Sequence, residues 1–193
     1  SGTCLALGII LKILDDAVGV NRAMMTSVHA YTSDQKLSDA MATELRRARS
    51  AAENIIPNLS WAPQVVSQVL PQLAGRIDGM AVNVPIPNGS LLDLTTVFKN
   101  NSVTVEDVNN MMYDAAKELP KLIQVAEDPI VSSDVINNRH SVVFDKMATM
   151  KSKGRMMKTL VWYHTALAQA CRILDVIGLY HNLQEQKEKG GAQ

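Results

Sequence analysis

Residues 76–98 read RIDGMAVNVPIPNGSLLDLTTVF, and this stretch decides the fold. Arg76 to Val84 and Ser90 to Phe98 alternate as strands do, and Pro85, Pro87, Asn88 and Gly89 between them form a turn-rich connection. The two read as paired strands. Downstream, Thr104 caps a helix from Val105 to about Leu119, with Glu106 and Asp107 in the first turn, where the helix dipole favours carboxylates. Ser141 to Met147 and Arg155 to Tyr163 read as a hairpin around Ser152-Lys153-Gly154. Thr165 to Leu183 reads as a final amphipathic helix, and Gln184 to Gln193 as a charged tail expected to fray.

Upstream, Leu5 to Asp16 reads as a helix whose apolar residues, Leu5, Leu7, Ile9, Ile10 and Leu14, cover much of its surface; Ser1 and Thr3 are its candidate caps. Ala23 to Tyr31 reads as a strand. Met25, Ser27 and Ala30 break its alternation, as in a strand buried on both faces. Thr32 to Asn54 is polar, carries Arg46, Arg47 and Arg49, and reads as a long ordered loop, although Met41 to Ala52 also admits a helix. Loops of that length in a compact domain are usually functional. Pro63 to Leu70 is a short helix stopped by Pro71. The order helix, strand, loop, helix, paired strands, helix, hairpin, helix predicts α+β: a largely antiparallel mixed sheet with helices on one face, plus a C-terminal amphipathic helix.

Composition narrows the function classes. Of 193 residues 47% are hydrophobic and 20% charged, which excludes a wholly disordered chain. Nineteen Lys+Arg balance 19 Asp+Glu, so net charge lends no support to a nucleic-acid partner. The apolar run Leu5 to Leu14 is interrupted by Lys12 and followed by Asp15 and Asp16, too short and too charged for a membrane span, and it lacks the features of a signal peptide. Cys4 and Cys171 suit neither a disulfide framework nor a zinc cage, and a cytoplasmic setting follows as the expectation. There is no GxGxxG and no GxxxxGK[ST], so any nucleotide would be held mostly by another domain.

Few residues suggest chemistry from local pattern. His29 stands where an apolar strand enters the polar loop: a structural histidine, or a general base or thiolate partner. Cys4, at a helix start, is a buried small group or a thiol with a depressed pKa. Arg46, Arg47 and Arg49 either solvate the loop or grip phosphate. His140, His164 and His181 lack metal-ligand spacing and read as surface or hydrogen-bonded structural groups, and no metal site is expected. Met24-Met25, Met111-Met112 and Met156-Met157 read as adaptable core filler.

Taken in order, a set of segments does more. Cys-Leu-Ala at 4–6, Ser-Val-His-Ala-Tyr-Thr-Ser-Asp-Gln at 27–35, Arg-Arg-Ala-Arg-Ser-Ala-Ala-Glu-Asn-Ile-Ile-Pro at 46–57 and Val-Pro-Ile-Pro-Asn-Gly-Ser-Leu-Leu-Asp-Leu at 84–94 resemble the glyceraldehyde-3-phosphate dehydrogenase family. So do Val-Ser-Ser-Asp at 131–134, His-Ser-Val-Val-Phe-Asp at 140–145 and Trp-Tyr at 162–163. The likeness runs over about residues 3–183 and is to the C-terminal, catalytic half, without the N-terminal NAD-binding domain. It implies a catalytic domain over 1–164, a helix over 165–183 that packs on the NAD-binding domain, and a flexible tail over 184–193.

The resemblance also implies a chemistry. A cysteine attacks an aldehyde, a histidine activates the thiol and assists hydride transfer to NAD, and inorganic phosphate cleaves the thioester. His29 matches the catalytic histidine; Thr32, Asp34 and Arg47 match residues lining the substrate and phosphate sites. Ser60 stands for a phosphate-binding threonine. Cys4 matches the second cysteine of the family's Ser-Cys-Thr-Thr-Asn-Cys motif, which places the nucleophile just before Ser1. Asn83 replaces an arginine that binds the sugar phosphate, Trp61 a glycine beside the phosphate site, Thr165 an asparagine that holds the nicotinamide amide, and Gln169 a nearby tyrosine. Four departures around one site imply a changed substrate, or a non-catalytic paralogue kept as a binding or assembly module. The implied partners are a sugar-phosphate aldehyde, inorganic phosphate and further copies of the chain in a homo-oligomer, with no nucleic acid and no membrane.

Overall fold

A computed structural model describes residues 1–190, with side chains described to residue 187. The first helix, α1 (Gly2–Val18), opens on Ser1, whose hydroxyl accepts the Cys4 N–H at 3.4 Å. It closes at Gly19, where φ of 72° is the left-handed region that glycine tolerates. Leu7, Ile10, Leu11 and Leu14 are fully buried along one side of it. Each such side chain contributes about 1.5–3 kcal/mol, so this one face anchors the core.

Seven strands follow: β1 (Val20–Ala30), β2 (Ile56–Leu59), β3 (Ile77–Val84), β4 (Ser90–Phe98), β5 (Ile123–Ala126), β6 (Val142–Lys151) and β7 (Met156–Tyr163). Between them lie α2 (Ala62–Val69) and α3 (Val105–Glu118), and α4 (Thr165–Gly190) ends the chain. The strands form one sheet in the order β2-β3-β1-β4-β7-β6-β5. Only β1–β3 and β5–β6 are parallel, so the sheet is mixed and largely antiparallel. The α+β expectation holds.

Two readings change. The strands β3 and β4 are not partners of each other: β1 lies between them, parallel to β3 and antiparallel to β4. The turn-rich connection crosses the end of β1, where Asn83 and Ser90 flank His29 on either side. Burial alternates along β1 instead of covering both faces. Ala23, Met25 and Ser27 are buried toward the helices, while Met24 is 59% exposed on the other face. At Gly79 the two strands crowd: a methyl there would stand 2.2 Å from the Met25 carbonyl oxygen, so only glycine fits.

Local chemistry sets the remaining boundaries. Thr104 accepts the Asp107 N–H at 3.1 Å while the Asp107 carboxylate accepts the Thr104 N–H at 2.8 Å, a reciprocal cap. The loop after β1 holds its shape through buried Gln35, Ser50 and Ala51, and a short 3-10 turn at Leu45–Ala48 takes the place of a longer helix. Two of the three methionine pairs divide, Met25 and Met157 being core while Met24 and Met156 face out, whereas Met112 is core and Met111 packs half-buried against that core. In α4, Ala168 is buried, but Ile173, Leu174, Ile177, Tyr180 and Leu183 are exposed. The helix continues to Gly190 through most of the segment expected to fray, and residues 191–193 lie outside the described residues.

Candidate functional site

His29 is the last but one residue of β1, and its ring points to the helix side of the sheet with Ser27, two residues earlier. Five hydroxyls surround or extend from it. Nε2 lies 3.0 Å from Ser27 Oγ and 3.5 Å from Thr3 Oγ1 in the first turn of α1. Thr3 Oγ1 lies 2.9 Å from Tyr163 OH, and the Tyr163 ring meets the imidazole edge-on at 6.2 Å between centroids. On the other side Nδ1 lies 3.1 Å from Ser90 Oγ, which is 3.2 Å from Thr165 Oγ1. No charged group bonds to the ring among the described residues. Burial pushes the His29 pKa below its ordinary value, so the ring is neutral at pH 7, the state a base requires. Burial also pushes the Tyr163 hydroxyl up, which keeps it protonated.

The loop after β1 brings Thr32, Asp34 and Arg47 together. Asp34 accepts from the Thr32 hydroxyl on one carboxylate oxygen and from the Arg47 guanidinium on the other. The Thr32 hydroxyl first, and then the Arg47 charge, hold the Asp34 carboxyl below the usual carboxylate range. Asn83, beside His29 across β1–β3, donates from Nδ2 to the Ala30 carbonyl at 3.0 Å and accepts from Asn58 Nδ2. Its amide is thus engaged within the protein.

The other candidates stand apart. Ser60 lies beyond the far end of β2, roughly 13 Å along the strand direction from Ile56, which pairs with Asn83. Its hydroxyl accepts the Ala62 N–H at 3.3 Å at the start of α2, and Trp61 beside it is 72% exposed. Cys4 is half-buried and packs on the core. Arg49 pairs with Asp39 at 3.5 Å. His164 caps α4 by accepting the Leu167 N–H at 3.1 Å, His140 bonds the Pro120 carbonyl at 3.1 Å, and His181 lies 3.3 Å from Glu185. A surface depression of about 1110 Å³ lies at the opposite end of β1, lined by residues including Arg22, Gln64 and Arg76, and holds none of the candidates. Among the described residues no cluster of His, Cys, Asp and Glu could cage a metal, and no helix is long and apolar enough to cross a membrane.

Sequence reasoning missed Ser27, Ser90 and Tyr163 as parts of the site and gave Thr3 only a capping role. Ser27 carried a usable signal, because a residue two before His29 in a strand shares its face. Ser90 and Tyr163 reach the ring only through the sheet order.

Fold and site together define a two-layer α+β domain that turns a neutral strand-end histidine toward a helix N-terminus. The family model described as glyceraldehyde 3-phosphate dehydrogenase, C-terminal domain, matches residues 1–165, and the chain belongs to that family. It is 39% identical over 178 residues to the glyceraldehyde-3-phosphate dehydrogenase of Borreliella burgdorferi, covering 91% of this chain and 53% of the relative. It is 43% identical over 166 residues to that of Priestia megaterium, covering 86% and 49%, and 44% identical over 177 residues to glyceraldehyde-3-phosphate dehydrogenase 1 of Streptomyces avermitilis, covering 91% and 52%. The chain spans about half the length of these curated relatives.

Proposed function

We propose that this chain is the catalytic half of a cytoplasmic, NAD-dependent phosphorylating aldehyde dehydrogenase whose sugar-phosphate site has changed. The observation that carries the reading is the neutral His29 imidazole with Nε2 facing the first turn of α1. On this reading the nucleophilic cysteine directly precedes Ser1. His29 takes the thiol proton at Nε2, and the thiolate sulfur bonds the aldehyde carbon. The protonated ring returns that proton to the new alkoxide, then removes it again as hydride departs, leaving a thioester and a protonated imidazole. A phosphate oxygen then attacks the carbonyl carbon and the C–S bond breaks, releasing the thiolate.

A nicotinamide cofactor, when bound, supplies the hydride acceptor, and Thr165 is the side chain offered toward it. The hydroxyl suits that role, since Thr165 bonds Ser90 beside His29. Thr32, Asp34 and Arg47 orient the substrate or phosphate. Ser60 offers a hydroxyl to phosphate only if the bound anion reaches the start of α2.

A second reading, a non-catalytic binding or assembly module, draws support from Asn83, whose amide is spent on Ala30 and Asn58 where a cation would be needed. One experiment separates them. The full-length protein is assayed for NADH formation with glyceraldehyde 3-phosphate, erythrose 4-phosphate and unphosphorylated glyceraldehyde, each with and without phosphate. Aldehyde-dependent NADH formation that falls about 10²–10⁴-fold in His29→Asn supports the enzyme. No turnover with any of the three refutes it and favours the module.

A further inference from the structure

The hydroxyls around His29 leave its tautomer to be settled by hydrogen-bond satisfaction, because no charge touches the ring. Ser27 decides it. Its side chain is fully buried, and its one hydrogen-bond partner among the described residues is His29 Nε2 at 3.0 Å. Were the proton on Nε2, the ring would donate to Ser27 and the buried Ser27 O–H would have no acceptor. An unsatisfied buried donor costs about as much as a lost hydrogen bond or more. With the proton on Nδ1, Ser27 donates to Nε2 and every group is satisfied. Thr3 donates to Tyr163 at 2.9 Å and Tyr163 donates on to Ser90 Oγ, so the single Nε2 lone pair is left to Ser27.

The Nδ1 proton then needs an acceptor, and Ser90 Oγ at 3.1 Å is its partner. Ser90 is itself buried, at 7% exposure, and passes its own proton to Thr165 Oγ1 at 3.2 Å. Thr165 is half-exposed, so its hydroxyl can end the chain in solvent. We infer that Ser90 is a positioning residue: by accepting the Nδ1 proton it keeps His29 Nε2 unprotonated beside Ser27 and the first turn of α1. It acts through His29 and touches no reacting atom. The inference rests on reading His29 as the base only for its catalytic meaning; the tautomer is a property of the chain itself.

The test uses nitrogen-15 NMR of the purified protein with labelled histidines, the His29 signals being assigned by comparison with His29→Gln. The unsubstituted protein is expected to show protonated Nδ1 and bare Nε2 at neutral pH. In Ser90→Ala the tautomer ratio should move about five- to tenfold toward Nε2–H, the equivalent of one hydrogen bond. Ser90→Thr, which keeps the hydroxyl, should restore the original ratio. An Nε2–H ring in the unsubstituted protein overturns the inference even if Ser90→Ala does not fold, and so does an unchanged ratio in a folded Ser90→Ala. None of these outcomes depends on turnover, so loss of the proposed activity and loss of this inference are separately visible.

Discussion

On the proposed reading, replacing Asn83 by arginine should supply an anion anchor beside His29. Asn83 sits beside His29 on the neighbouring strand, half-buried, with its amide divided between Ala30 and Asn58. Arginine there removes the acceptor for one Asn58 N–H, but Asn58 also donates to the Ile56 carbonyl at 3.2 Å, so its amide keeps one partner. The Ala30 carbonyl loses its Asn83 donor as well, so the cost is that of two hydrogen bonds at the low end, about 1–2 kcal/mol, visible as a drop of about 2–8 °C in thermal midpoint for a domain of this size. Against it stands a forked cation beside His29, while the loop cation Arg47 is already paired with Asp34. A charge-assisted bond to phosphate contributes about 1–3 kcal/mol, so sulfate or phosphate should bind about 5- to 150-fold more tightly to Asn83→Arg than to the unsubstituted protein. Calorimetric titration at fixed ionic strength measures the affinity, and a thermal scan of the same samples measures the cost. Equal anion affinity in a variant that folds with the expected small loss of stability would refute the placement of the anion site at Asn83.

Two further outcomes follow from groups already described. Because burial lowers the folded His29 pKa below 6.5, the unfolded chain takes up the proton first on acidification; the stability contribution is complete above pH 6.5 and is lost as pH falls toward the folded value. Urea midpoints at pH 7.5 and 5.5 should thus fall further for the unsubstituted protein than for His29→Gln, and equal losses would count against a buried neutral ring. The exposed Ile173, Leu174, Ile177, Tyr180 and Leu183 of α4 should drive self-association to a dimer or tetramer at micromolar concentration, and a monomer of 21.1 kDa in light scattering with α4 helical by circular dichroism would defeat that expectation.

Elements with local signals were legible. The bounds of β4 agree at both ends, Ser90 and Phe98, because strict alternation and a Pro/Gly-rich flank mark them. The start of α3 follows from Thr104 and Asp107, whose reciprocal bonds lie within four residues of sequence. Strands β2 and β5 were not foreseen. Each has four residues, too few for a period to register, and β2 carries Pro57 at the sheet edge, where a missing N–H is tolerated. The insertion of β1 between β3 and β4 is a long-range choice that no local pattern encodes. The same divide runs through the site. Thr32, Asp34 and Arg47 share one loop and could be grouped from the chain alone, whereas Ser90 and Thr3 meet His29, and Thr165 meets Ser90, only because the sheet and α1 bring distant segments together.

The central place of β1 has a consequence for how the chain is made. Its two neighbours are β3 and β4, so after Ala30 has left the ribosome about 70 more residues must be synthesised before Phe98 emerges to complete the pairing. At ~5–20 residues per second that interval lasts roughly 3–14 s. Until β3 emerges at Val84 both edges of β1 are unpaired, and the edge that β4 takes stays open for the whole interval, with the face of Ala23, Met25 and Ser27 awaiting its cover. The nascent chain is most open to wrong pairing in that window, and a chaperone that shields residues 20–30 until β4 is complete would raise the folded yield more than one acting on any later strand.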